Sequence, residues 1–126
     1  MGWFDGFPFV NKDERERRRK DFEKRVTPFG VNAQREKLKA TLGVLFPEIN
    51  TTDAMFAFFD AKDAYTYKEE KDEGIAAARH KLRKLPWINE SREAIFLKLI
   101  ELENGITSLD DYPTAEDVLA RLHEEA

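Results

Sequence analysis

The chain has 126 residues, 37 % of them charged and 41 % hydrophobic, with a formal charge of −4. That length suits one domain and is short for two. With no cysteine and only two histidines, His80 and His123, disulfides and thiolate metal or redox chemistry are excluded, and the net acidity argues against a basic nucleic-acid coat.

Residues 1–10 form an aromatic N-terminal arm. Trp3, Phe4, Phe7 and Phe9 stand among Gly2, Gly6 and Pro8, so the arm is expected to be extended. The aromatic-then-basic order is the reverse of a signal peptide. Gly6 occupies the place where a myristoylation site needs Ser or Thr. No apolar run approaches the roughly 18–20 residues that span a bilayer, and a cytoplasmic location is expected.

Residues 11–126 read as a single all-helical domain. Asn11 can cap a first helix to about Val26, and Asn11 to Asp21 contains no apolar side chain. Acid-first pairs such as Asp13 with Arg17 and Glu14 with Arg18 support such a helix by roughly 0.2–0.5 kcal/mol each. Thr27-Pro28-Phe29-Gly30 interrupts it. A second helix is expected from about Asn32 to Phe46 on Leu38, Leu42 and Leu45, stopped by Pro47. Thr52 is the expected cap of a third, reaching about Tyr65. There Met55, Phe56, Phe58 and Phe59 cover a wide arc, and Ala57, Ala61 and Ala64 leave room for close approach of another helix.

Thr66-Tyr67-Lys68-Glu69 reads as a capping box for a fourth helix ending before Pro86. Its stripe is Ile75, Ala78, Leu82 and Leu85, extended by Tyr67. Asn89 or Ser91 opens a fifth helix, closed by Asn104-Gly105 as a left-handed C-cap. Ile95, Phe96, Leu99 and Leu102 share one face of it, with Leu97 opposite and Ile100 toward an edge. Such all-round apolarity marks a central helix or an interface. Pro113-Thr114 begins a last helix through Val118, Leu119 and Leu122. The expected fold class is all-α, a compact bundle of about six helices.

Chemistry-bearing patterns are sparse. Glu69-Glu70-Lys71-Asp72-Glu73 matches EExxE, and Glu90-Ser91-Arg92-Glu93 follows where a second acidic motif, ExxD, would stand. This resembles the all-helical nucleoside triphosphate pyrophosphohydrolases. The resemblance implies magnesium held by Glu69, Glu70, Glu73, Glu90 and Glu93, with Glu93 in place of the pattern's Asp. An antiparallel hairpin would separate Glu73 from Glu90 by roughly 18 Å, so the two sets would meet only in a dimer. Neither histidine belongs to a Glu-x-x-His pair. There is no glycine-rich phosphate loop, nucleophile elbow or H-E-x-x-H.

No catalytic, cofactor or metal site is therefore expected, and the chain reads as a non-enzymatic interaction or regulatory module. Its contact surface would use Trp3, Phe4, Phe7, Phe9, Leu97 and Ile100, toward a protein partner or a second copy of the chain. The alternative is a nucleic-acid-binding accessory using Arg15, Arg17, Arg18, Arg19, Lys20, Arg79, Lys81, Arg83 and Lys84. Residues 12–39 carry eleven bases against six acids, whereas residues 101–126 carry eight acids and one base.

Overall fold

A computed structural model describes residues 31–125 as five α-helices and a short 3-10 turn, with no strand among them. The helices are α1 (Val31–Leu45), α2 (Thr51–Thr66), α3 (Lys71–Leu82), α4 (Glu90–Asn104) and α5 (Ala115–Glu125), with the 3-10 turn at Leu109–Asp111. The all-helical expectation is met. The number of helices described is five rather than about six, because the helix expected over 11–26 and the aromatic arm lie outside the described residues.

Consecutive helices pack on one another, and α5 returns to α1. Leu38 and Leu42 of α1 and Phe46, just past its end, are spaced four apart, so they share one face, and all three are buried. Phe46 stacks on Phe96 of α4 at 4.6 Å between ring centroids and 19° between planes. Trp87, in the α3–α4 connection, covers the same Phe96 at 5.9 Å. Phe58, Ala78, Leu82, Leu99 and Val118 complete the core from the other helices.

A close approach occurs between α2 and α3, at Tyr65 and Gly74. A Cβ on Gly74 would lie 2.8 Å from the Tyr65 carbonyl oxygen, so glycine lets α3 pass against the end of α2. Ala57 and Ala61 are buried on α2. The aromatic arc is narrower than expected: Phe58 is buried, Met55 and Phe59 are half-buried, and Phe56 is exposed.

Several helix ends differ from expectation. Asn50, not Thr52, caps α2, its Oδ1 accepting from the backbone N–H of Thr52 at 2.9 Å and of Asp53 at 3.4 Å. Thr66 opens no capping box. It is the last residue of α2, and its hydroxyl donates to the Lys62 carbonyl at 2.6 Å. α3 begins later, at Lys71, with Glu70 in the cap position and no side-chain cap bond. Tyr67 lies in the intervening turn, 77 % exposed, rather than extending the α3 stripe.

Two further ends follow the sequence and the end of α4 does not. Asn89 caps α4 by accepting from Arg92 N–H at 2.8 Å. Thr114 and Asp117 form a reciprocal box at the start of α5, with bonds of 3.0 and 3.2 Å, the arrangement that satisfies two otherwise orphaned N–H groups. Gly105, which ends α4, has φ −89° and is not left-handed. Its N–H bonds back to the Leu102 carbonyl at 3.2 Å, closing the helix with a tightened last turn.

Candidate functional site

The most concentrated polar chemistry among the described residues is buried, around Glu103. On α4, Phe96, Leu99, Ile100 and Glu103 follow helical spacing on one face, so the carboxylate enters the core with its apolar neighbours. All four are buried. Gln34 on α1 donates from Nε2 to Glu103 Oε1 at 2.9 Å, and Lys62 on α2 donates to the same oxygen. Oε2 accepts from the Tyr112 hydroxyl, just after the 3-10 turn.

Four separate stretches of chain thus meet at one carboxylate. Lys62, 5 % exposed and Glu103, 2 % exposed, form a sealed ion pair. The Lys62 ammonium also lies 6.0 Å from the Phe58 ring centroid, within cation–π reach. Burial of the phenol, followed by the Glu103 charge and the bond to it, holds the Tyr112 proton well above its ordinary titration range. No buried side-chain polar atom of the described residues lacks a hydrogen-bond partner. A buried charge is tolerated when it is paired and its remaining bonding sites are filled, and this one is.

A second cluster lies at the surface between α3 and α4. Glu93 Oε1 accepts from Arg79 Nε at 2.8 Å and from Arg83 at 3.4 Å, and Oε2 accepts from Arg83 Nε at 3.0 Å. These bonds join the two helices across the Pro86 turn, as an antiparallel hairpin requires. On the other side of the turn Arg92 donates to the Trp87 carbonyl and to Glu48 at 3.0 Å. That bond holds the Glu48 carboxyl below its usual pKa. Further along α4, Lys98 pairs with Glu101 at 3.1 Å and with Glu125 of α5 at 2.8 Å.

The acidic motifs do not converge. Glu69, Glu70 and Glu73 are exposed around the start of α3, and Glu90 is exposed at the start of α4. Both oxygens of Glu93 are engaged by arginines rather than turned toward those carboxylates. Arg79, its partner, lies six residues beyond Glu73, about 9 Å along α3. Among the described residues no group of three or more His, Asp or Glu side chains is placed to hold a metal ion.

Of the expected contact residues, Ile100 is only 1 % exposed and belongs to the core. Its edge position on α4 is covered because α4 packs against α2, α3 and α5 together. Leu97 is half-buried. Trp3, Phe4, Phe7 and Phe9 lie outside the described residues, as do Arg15, Arg17, Arg18, Arg19 and Lys20. Of the remaining basic set, Arg79 and Arg83 are held by Glu93, and Lys81 is 3.9 Å from Asp60. Lys84 is exposed.

The sequence reading missed two features. The Gln34–Lys62–Tyr112–Glu103 network was signalled by polar residues standing on apolar stripes. Phe56, which the sequence sets in a wide apolar arc with Met55, Phe58 and Phe59, is 68 % exposed on α2. No helix among the described residues is long and apolar enough to cross a membrane. No protein-family model, no curated protein and no solved structure matches this chain.

Proposed function

We propose that this chain is a non-catalytic helical module that works through protein contact, with a partner protein or a second copy of itself. The observation that carries this reading is Phe56, left 68 % exposed on α2 beside the half-buried Met55 and Phe59. A side chain of that size forgoes roughly 1.5–3 kcal/mol when it stays in water. The surrounding surface of α2 is marked by Asp53, Asp60 and Asp63, all exposed. An apolar centre with a polar rim is the usual anatomy of a contact patch. Leu97, half-buried on α4, would add to the contact area.

The chemistry of the ionisable groups is consistent with this reading. The buried charges of Lys62 and Glu103 are satisfied by each other and by their neighbours, so they support the fold without needing a substrate. Two measurements on the full chain, alone and as Phe56→Ser, test the proposal together. Sedimentation velocity over a wide concentration range reads self-association, and tagged capture from the native host, with and without nuclease, reads partners. The expected result is association, or nuclease-resistant capture of a protein, that Phe56→Ser weakens. A chain monomeric throughout that retains no protein after nuclease treatment would overturn it.

A further inference from the structure

A groove of about 330 Å³ opens between the C-terminal end of α4, the 3-10 turn and α5. Leu102, Ile106 and Pro113 supply apolar wall, while Asp111, Asp117 and Glu124 bring carboxylates to it. Arg121 is the base in the lining, and it stands 3.9 Å from Glu124. The groove therefore offers apolar surface with an excess of negative charge, which suits a segment carrying both bases and large apolar side chains.

We infer that this groove is the docking site for the chain's own N-terminal segment, residues 1–30. Two observations single out that occupant. The first is composition: Trp3, Phe4, Phe7 and Phe9 are followed, over residues 12–25, by eight bases against five acids. The aromatics match the apolar wall and the bases match the carboxylates. The second is where the segment joins the fold. Gln34, in the first turn of α1, is bonded to Glu103, the residue next to the groove's Leu102, and Thr41 further along α1 donates to the carbonyl of the groove's Pro113 at 2.9 Å.

The helix that follows the N-terminal segment thus packs against the elements that line the groove. Thirty residues reach up to ~100 Å when extended, so length does not prevent docking in the same molecule. Tethering raises the effective concentration to about the millimolar range for short flexible linkers, which favours the chain's own segment over a free competitor. This inference concerns the chain alone and stands apart from the proposed function, since docking would be read whether or not an outside partner exists.

Carbodiimide coupling tests it on the full chain. The reagent joins a lysine amine directly to a carboxylate, and the segment supplies Lys12, Lys20 and Lys24. Dilute protein is coupled and its links are mapped by mass spectrometry, with an equal mixture of light and heavy nitrogen-labelled chains to mark links between copies. The expected result is links within one chain from these lysines to Asp111, Asp117 or Glu124. They should fall severalfold at Asp117 in Asp111→Lys/Glu124→Lys, whose two altered side chains are exposed. Circular dichroism checks that this variant keeps its helices. Overturning results are links confined to Asp53, Asp60 and Asp63 of α2, links solely between copies, no links from the segment, or Asp117 links unchanged by the charge reversal.

Discussion

Glu93 and Glu103 stand ten residues apart on α4, and each accepts three hydrogen bonds. Their surroundings differ. Glu103 is sealed among Gln34, Lys62 and Tyr112, whereas Glu93, its side chain 12 % exposed, is held by arginines whose side chains are 42 % and 66 % exposed. The same carboxylate with the same number of bonds therefore does different work. In the core, loss of a partner strands a charge without water. At the surface, water and salt replace what is lost, and exposed pairs contribute about 0–1 kcal/mol.

The largest expected effect is at the buried site. Glu103→Ala leaves the Lys62 ammonium in the core without its anion and should lower stability by about 3–5 kcal/mol, read from urea unfolding. A smaller loss, about 1.5–3 kcal/mol, is expected for Gln34→Ala, which removes a neutral donor to a charged acceptor and leaves the ion pair in place. If Gln34→Ala proved the more damaging of the two, the ion pair would not be the centre of the network.

Alkaline pH gives a separate handle on the same site. Unfolded Tyr112 releases its proton near 10.0, while the folded phenol is held above that value. Above that pH the unfolded state binds fewer protons than the folded state, so stability should fall as pH rises. Lys98, whose bonds to Glu125 and Glu101 outweigh its desolvation and raise its pKa, adds a loss in the same direction. Urea midpoints between about pH 9 and 11 should therefore fall in the native chain and fall less steeply in Tyr112→Phe, with the Lys98 share remaining. The smallest effect is expected for Glu93→Ala, about 0–1 kcal/mol and shrinking further in high salt. A loss as large as that of Glu103→Ala would erase the distinction between the two carboxylates.

The sequence carried more of this than its polar residues suggest. Leu38, Leu42 and Pro47 marked most of α1, and Pro86 with Asn89 marked the connection between α3 and α4. The buried network was also legible, though not as a set of partners. Gln34 precedes Leu38 by four, Lys62 follows Phe58 by four, and Glu103 follows Phe96 by seven, so each stands on an apolar stripe. What periodicity cannot supply is the pairing, because the partners lie 69 and 41 residues apart.

The missed α3 start has a similar origin. Thr66 has the right chemistry for a cap, but its hydroxyl bonds backward into α2, a competition that local spacing does not decide. Phe56 shares its arc with Met55, Phe58 and Phe59 yet stands exposed. Only tertiary packing decides which part of a wide apolar arc is covered.

The central claim is that Lys62 and Glu103 act as one buried unit in support of the fold. A double-mutant cycle with Lys62→Met and Glu103→Leu, read by urea unfolding at neutral pH, tests it most directly. The account predicts that each single change costs about 3–5 kcal/mol and that the double variant loses clearly less than the sum, because neither charge is then stranded. Single losses within about 1 kcal/mol that simply add would contradict it.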